Sequence, residues 1–128
     1  WAVVSMPFDD GLNAQADVTR RESGSGDSWR TIEAGMPCRV VAMSAMEAQA
    51  LSQEWSQTVT HRGIAPLYYD VQDGDRMTVY ARKAGRGEWQ TLINAERYDV
   101  VVMDRAEGGR LGAHHWRLYL SRTGTVRP

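Results

Sequence analysis

The sequence has little cysteine and no long apolar run. Cys38 is the one cysteine among 128 residues, which excludes an internal disulfide and favours a reducing compartment such as the cytoplasm. The longest apolar runs, such as residues 100–103, are a few residues long. Such runs are too short to span a bilayer, so we expect no membrane partner.

The sequence is also poor in lysine and in net charge. Lys83 is the one lysine among fifteen basic residues, and the formal net charge is −1, so the whole molecule has no attraction for nucleic acid or an anionic membrane. Residues 1–60 hold four arginines and eight acidic residues, whereas residues 61–128 hold eleven basic and eight acidic residues. The arginine bias suits ion pairs at interfaces, although a GC-rich genome produces the same bias.

Turn-forming residues separate short β-forming segments along most of the chain. We expect about six to eight strands, which predicts a mainly β fold, a small antiparallel β-barrel or sandwich with one short α-helix and extended loops. The valine-rich strand at residues 98–103 is expected to be buried on both faces. In the last strand, Trp116, Leu118 and Leu120 are expected to form the buried face. The β-forming segments that make up these strands are 17–21, 28–32, 36–43, 58–62, 64–69, 76–80, 88–93, 98–103 and 116–121.

Two segments differ from this β pattern. Residues 1–15 carry turn formers with little periodicity, so we predict an N-terminal arm at 1–15 and a single barrel domain at 16–128. Arms of this kind often order only against a partner. Ser44 and Glu47 form a capping box, and an apolar face with helical spacing follows it, so we predict a helix over residues 45–55.

No pattern of catalytic or metal-binding residues stands out. His114 and His115 are adjacent, and on a strand they point to opposite faces, which does not suit one ion. Asp73 and Asp75 flank a glycine before a strand, as a turn requires. We therefore expect no enzyme, no metal and no cofactor. The hairpin tip with Arg82, Lys83 and Arg86 is either a solvated loop or a tip that faces a neighbour or DNA.

Four short motifs follow the predicted helix in a fixed order. They are Thr60-His61-Arg62, Gly74-Asp75-Arg76, Arg97-Tyr98-Asp99-Val100 and Arg117-Leu118-Tyr119-Leu120. This order, over residues 16–122, resembles the head-tail joining proteins of tailed phages, the head-closure or stopper family. The insertion at residues 82–94 departs from the family pattern and suggests an extended hairpin that projects from the barrel.

The resemblance implies a structural virion protein of the phage neck. Such subunits form a homo-oligomeric ring, commonly of twelve copies, between the portal with its adaptor and the tail. The ring retains packaged DNA, which lies near its channel, and offers a docking surface to tail proteins. The implied location is the virion neck, with the host cytoplasm as the place of assembly.

The resemblance also points to residues 42–57 as a gate or inter-subunit element. An acidic face toward the channel would repel DNA, and the segment could block the channel sterically; alternatively, the helix plugs one end of its own barrel. The residues concerned are Met46, Glu47, Ala48, Gln49, Leu51, Gln53, Glu54 and Trp55.

Two other functions stay open at this point. The first is a tail terminator or tail-completion connector, which would bind the tail tube instead of the portal adaptor. The second is a soluble small-barrel module that binds a small ligand or nucleic acid through an aromatic face formed by Tyr68, Tyr69 and Trp89. The net charge and the frequent use of aromatics as core residues disfavour the second.

Overall fold

The computed structural model describes residues 12–22, 28–49, 59–83, 88–107 and 113–126. Within these ranges six antiparallel strands close into a barrel in the order β1-β2-β3-β6-β5-β4, which confirms the predicted mainly β fold. The elements are β1 (Ala14–Arg21), β2 (Trp29–Ala42), α1 (Ala45–Gln49), β3 (His61–Pro66), β4 (Arg76–Arg82), β5 (Gln90–Glu107) and β6 (Ala113–Val126). We call the end where β1 and β3 begin the upper end, and the opposite end the lower end.

The core fills the inside of the barrel with alternate residues of each strand. Strands β1 and β4 alternate buried and half-buried positions, as a strand with one face toward a core requires. Fully burying a leucine or methionine contributes about 1.5–3 kcal/mol. The largest buried apolar side chains are Tyr98, Met36, Met77, Leu118 and Leu120. In β6 the predicted alternation is confirmed, since Leu118 and Leu120 are buried and Trp116 packs against the core.

Strand β2 is one strand where the sequence indicated two. Gly35 has φ +70, a value that glycine adopts at no steric cost, and its N–H donates to Asp17 Oδ1 at 3.0 Å. The pairing with β1 shifts register there, between Ala16 and Val18. Gly35 therefore marks a β-bulge inside a continuous strand and does not end one.

Strand β5 likewise joins two predicted strands into one of 18 residues. The predicted burial of residues 98–103 on both faces is wrong: Tyr98 and Val100 are buried, whereas residues 101–103 are half-buried. A second register shift opposite β6, between Val100 and Val102, turns Met103 toward the core. The apolar run thus faces the core at Tyr98 and Val100 before the bulge and at Met103 after it.

The barrel begins earlier than the predicted arm boundary at residue 15. Leu12 and Ala14 are buried, and the Asn13 N–H donates to the Cys38 carbonyl at 3.0 Å. Asn13 Oδ1 also accepts from the Val40 N–H at 3.2 Å. Residues 12–15 therefore belong to the barrel, and residues 1–11 lie outside the described residues.

Helix α1 starts where the capping box predicts. The Ser44 hydroxyl accepts from the Glu47 N–H at 3.1 Å, and the Glu47 carboxylate accepts from the Ser44 N–H at 3.3 Å. The predicted helix end at residue 55 lies outside the described residues. The Met43 N–H donates to the Thr60 carbonyl at 3.1 Å, so the connection that carries α1 leaves and rejoins the barrel at one point of its upper end. Among the described residues, no helix is long and apolar enough to cross a membrane.

A buried ion pair closes the lower end. Asp75 is 1% exposed, and its carboxylate accepts from Arg20 Nε at 2.8 Å and Arg20 Nη2 at 2.9 Å. It also accepts from the Gln72 N–H at 2.9 Å. The turn here is the predicted one, with Gly74 at φ +89 and the Asp75 N–H donating to the Gln72 carbonyl at 3.1 Å. The hydrogen bond to Asp75 raises the pKa of the Arg20 guanidinium above its ordinary value.

Replacing Asp75 with alanine is expected to lower the free energy of unfolding by about 3 kcal/mol, because it removes three hydrogen bonds and leaves Arg20 without its main partner. Urea unfolding followed by fluorescence would measure this. The matched control is Asp70→Ala, since Asp70 meets the same Arg20 at 3.2 Å but is 55% exposed; its cost should stay below about 1 kcal/mol. An equal loss of unfolding free energy in the two variants would contradict the conclusion that the buried Asp75 stabilises the lower end more than Asp70 does.

Candidate functional site

A polar network lies inside the upper end of the barrel. We call it the Tyr98 cluster. Arg82 Nε and Nη2 donate to Glu96 Oε1 at 3.0 and 2.6 Å, and the Tyr98 hydroxyl donates to the same oxygen at 3.2 Å. Arg122 Nη1 lies 3.7 Å from Glu96 Oε2. The members of the cluster are Thr60, His61, Arg82, Glu96, Tyr98 and Arg122.

Thr60 and His61 join this network from the start of β3. The His61 ring meets the Tyr98 ring edge to face, with 4.9 Å between centroids. The Thr60 hydroxyl lies 2.8 Å from His61 Nδ1 and accepts from the Arg122 N–H at 2.9 Å. Two of the residues that carried the family resemblance, His61 and Tyr98, are therefore in direct contact although 37 positions separate them in the sequence.

The charges of the cluster shift its titrations. Burial lowers the pKa of His61, and the charge of Arg122 lowers it further. Burial alone would raise the pKa of Glu96, but the hydrogen bond and charge of Arg82 outweigh it, so this pKa lies below its usual range. Burial and the Glu96 charge raise the pKa of Tyr98. Near neutral pH the network therefore holds a neutral His61 and an ionised Glu96.

Arg82, predicted on the hairpin tip, has a half-buried side chain that pairs with Glu96. A register shift between Val79 and Ala81 leaves Tyr80 out of the regular β4–β5 pairing, and bulges of this kind re-aim side chains. Arg82 reaches over the barrel mouth, where Nη1 donates to the Val40 carbonyl at 3.4 Å. Lys83 lies with its Nζ 5.0 Å from the Trp89 ring centroid, and Arg86 lies outside the described residues.

The insertion at residues 82–94 lies in the β4–β5 hairpin. Strand pairing continues to Arg82 opposite Gln90. Ile93, on the longer side of the bulge, is 85% exposed. The described part of the insertion thus extends the hairpin beyond the regular barrel pairing and presents two apolar side chains, Trp89 and Ile93, to the outside.

Gly74, Asp75 and Arg76 lie away from the Tyr98 cluster, at the lower end. Arg76 Nε donates to Asp99 Oδ1 at 3.2 Å, and its guanidinium carbon lies 4.2 Å from the Trp29 ring centroid. These contacts make the Gly-Asp-Arg turn an architectural element. Arg97, on β5, has a buried Nε without a hydrogen-bond partner.

Cys38 is a core residue of β2. It is fully buried, and burial raises the pKa of its thiol to about 12. A thiol this hard to ionise is a poor nucleophile and a poor metal ligand. Among the described residues no group of three His, Cys, Asp or Glu side chains is placed to hold a metal ion.

A groove of about 480 Å³ lies on the outside of the barrel, across β2, β3 and β6. We call it the outer groove. Its described lining combines arginines with an apolar floor, and Glu47 from α1 closes one side. The lining residues are Arg39, Val41, Met43, Glu47, Arg62, Gly63, Ile64, His115, Arg117, Leu118 and Tyr119.

Ion pairs fix two of the arginines at the outer groove. Arg62 Nε lies 3.0 Å from Glu47 Oε2, which ties the first turn of α1 to β3. Arg117 Nε and Nη2 donate to the two carboxylate oxygens of Asp104 at 2.8 and 3.0 Å, and this bond to Asp104 raises the pKa of Arg117 above its ordinary value. The groove therefore presents oriented guanidinium groups beside apolar surface, a combination suited to an acidic and apolar segment of protein.

The predicted gate residues divide between described and undescribed positions. Glu47 lines the outer groove, and Met46 is 81% exposed. The backbone of Ala48 and Gln49 is helical, while Leu51, Gln53, Glu54 and Trp55 lie outside the described residues. The Glu47–Arg62 ion pair places the start of α1 against the outside of β3.

The aromatic face proposed for a ligand-binding module does not form. Tyr68 and Tyr69 follow β3 at the lower end, with ring centroids 5.1 Å apart. The Tyr69 carbonyl accepts from Trp116 Nε1 at 3.0 Å, and the Tyr69 side chain packs against the core. Trp89 lies in the β4–β5 hairpin at the upper end, so the three rings share no surface.

Sequence reasoning missed several residues of these sites, three of them charged. Glu96 and Arg122 belong to the Tyr98 cluster, and Arg39 lines the outer groove. The alternating pattern carried a signal for Arg39 on the outer face of β2. Glu96 and Arg122 became visible only once β5 and β6 were placed side by side.

The structure predicts that stability falls on acidification in two steps. His61 has a pKa below its ordinary 6.5, so the unfolded chain takes up its proton first and stability is lost as pH falls below about 6.5. Glu96 acts the same way below its ordinary 4.5. The free energy of unfolding, measured by urea between pH 7 and pH 3, should therefore decline over both ranges.

His61→Gln should flatten the decline between pH 7 and pH 5 and keep the acid step. Glu96→Gln is the matched variant, since it removes the acid step through a different group of the same cluster. An unchanged slope above pH 5 in His61→Gln would contradict the assignment of His61.

Comparison with known proteins adds no relative: no protein-family model matches the chain, and no curated protein or solved structure is significantly similar to it.

Proposed function

We propose that the chain is a ring-forming structural subunit of the tailed-phage neck, a head-closure or stopper protein between the portal adaptor and the tail. In this role it packs against copies of itself, retains packaged DNA and gives the tail a docking surface. No cofactor and no chemical reaction is part of the proposal. The implied location is the virion neck, reached from the host cytoplasm.

The observation that supports this proposal most is that the four family-like motifs meet on adjacent strands. Thr60-His61-Arg62 opens β3, which pairs with the Arg117-Leu118-Tyr119-Leu120 segment of β6. That segment pairs next to Arg97-Tyr98-Asp99-Val100 of β5, and Asp99 lies opposite Arg76 of β4. Motifs spread over some sixty residues of sequence thus lie on four consecutive strands of the six-stranded barrel.

The outside of the barrel offers surfaces for neighbouring subunits. A closed ring of identical subunits needs two different patches on opposite sides of each one. The outer groove lies on β2, β3 and β6, and the exposed Ile93 lies on β5, across the barrel from β2. Exposed apolar side chains at such places are a feature of interaction surfaces.

The start of α1 supports the inter-subunit reading of residues 42–57. Glu47 holds α1 against β3, and Met46 is exposed beside it. The connection leaves and rejoins the barrel at the Met43–Thr60 hydrogen bond, so it can contact a neighbour or the channel while the barrel stays closed.

A tail terminator or tail-completion connector is the second candidate. The same barrel, groove and exposed side chains serve it equally well, and its difference from a stopper is the partner it binds. The soluble binding module loses support, because its aromatic face does not form.

The test is to mix the purified chain with DNA-filled capsids that lack tails and, separately, with isolated tail tubes. For a stopper we expect saturable binding to the capsids, a ring of about a dozen copies by quantitative mass spectrometry, and less DNA leakage. Binding to the tail tubes alone would favour the tail terminator. A stable monomer that binds neither would contradict both.

Two charge-introducing variants sharpen this test. Met46→Asp places a carboxylate on α1 and should reduce capsid occupancy, whereas Thr31→Asp places the same charge on an exposed position of β2 at the lower end and serves as the control for the added charge. Equal occupancy in the two variants would show that α1 does not contribute to the interface. The stopper assignment would then depend on the binding of the wild-type chain alone.

A further inference from the structure

We infer that the outer groove binds residues 1–11 of a neighbouring copy of the chain. The inference rests on the proposed ring and names the contact that links its subunits. Its basis is the match between the charge and polarity of the groove and those of this segment, together with the point at which the described barrel begins.

The groove has the chemistry of a site for an acidic, apolar segment. Three arginines and one glutamate are among its described lining residues, and Asp104 pairs with one of these arginines, so three cations meet two carboxylates and the net charge is slightly positive. Arg62 and Arg117 are held in place by Glu47 and Asp104. Because these side chains are already ordered, they lose less conformational entropy when a further carboxylate binds. Val41, Met43 and Ile64 supply apolar floor between the charged groups.

Residues 1–11 carry the complementary composition. They contain two acidic residues, Asp9 and Asp10, and no basic residue. The rest of the segment is largely apolar, with side chains to bury on a partner. Its apolar members are Trp1, Ala2, Val3, Val4, Met6, Pro7 and Phe8.

The β4–β5 hairpin of a neighbour is a poorer occupant. Its exposed Ile93 suits an apolar floor, but the same hairpin carries Lys83 and Arg86 against Glu88. It would bring net positive charge to a positively charged groove, which disfavours the contact.

The start of the barrel and the length of residues 1–11 allow the segment to reach the groove of a neighbour. Asn13 is bound on both sides, since its N–H donates to Cys38 of β2 and its carbonyl accepts from the Lys83 N–H at 3.1 Å after β4. The chain therefore enters β1 from the upper end, between β2 and β4, and not from the outer face of β2 where the groove lies. Eleven extended residues span about 36 Å, whereas three strands are only about 10 Å across.

A disulfide cross-link tests this contact. One preparation carries Met6→Cys and the other carries Val41→Cys in the groove. The native Cys38 does not compete, because it is fully buried and burial raises the pKa of its thiol to about 12. The two preparations are mixed, allowed to assemble free and on tailless capsids, oxidised mildly, and separated on a non-reducing gel. The expected product is a disulfide-linked dimer of one chain of each kind.

Two controls make the result specific. Thr91→Cys replaces Val41→Cys as the partner, since Thr91 is exposed on the part of β5 that pairs with β4 and not with the groove strand β6, and it should give at most a trace of the dimer. Adding Asp9→Lys and Asp10→Lys to the Met6→Cys chain should reduce the cross-linked fraction by roughly threefold to tenfold, as expected from two exposed ion pairs.

Three outcomes would overturn the inference. The first is no dimer above the Thr91→Cys control, either free or on capsids. The second is a disulfide that forms only within a single chain carrying both Met6→Cys and Val41→Cys, and the third is efficient cross-linking of Ile93→Cys, instead of Met6→Cys, to Val41→Cys. Wild-type capsid binding is measured in parallel. Capsid binding without the arm cross-link defeats this inference alone, whereas the absence of capsid binding defeats the proposed function.

Discussion

Closure of the barrel depends on the pairing of β1 with β4, and the Arg20–Asp75 ion pair fastens that pairing at the lower end. Asp75 is a buried carboxylate, and such a charge is tolerated only when it is paired and fully hydrogen-bonded. The Arg20 guanidinium on β1 donates to Asp75 in a bidentate manner, and the Gln72 N–H is a third donor. Because Asp75 also precedes β4 and its carbonyl accepts from the Val100 N–H, one residue joins three strands.

The upper end is held by a second polar network of a different kind. Arg82 crosses the mouth from β4 to β2 and β5, and a bulge is what turns its side chain inward. The polar groups of this network have hydrogen-bond and ring partners on different strands, so the network specifies which strands lie together at the upper end. Side chains occupy both ends of the barrel, and the outer groove lies on its outside.

Local patterns predicted what depends on neighbours in sequence. The Ser44–Glu47 capping box and the alternation of β6 were confirmed, because each is decided within four to six residues. The predicted break between strands 28–32 and 36–43 is wrong, since β2 is continuous there and a glycine such as Gly35 looks the same in the sequence of a turn and of a bulge. The partnership of Asp75 with Arg20 spans 55 residues, and the inward turn of Arg82 follows from strand pairing. Neither leaves a trace in local sequence.

The two networks bear on how the family-like motifs are best understood. Gly74, Asp75 and Arg76 stabilise the lower end, while His61 and Tyr98 stabilise the upper end, so these positions specify the barrel and not a contact surface. A resemblance carried by them argues for a shared architecture, whereas the motif residues Arg62 and Arg117 lie on the outer face and line a groove together with Arg39. That face is the part of the molecule in which stopper, tail terminator and unrelated barrels would differ, and experiments on partner choice belong there.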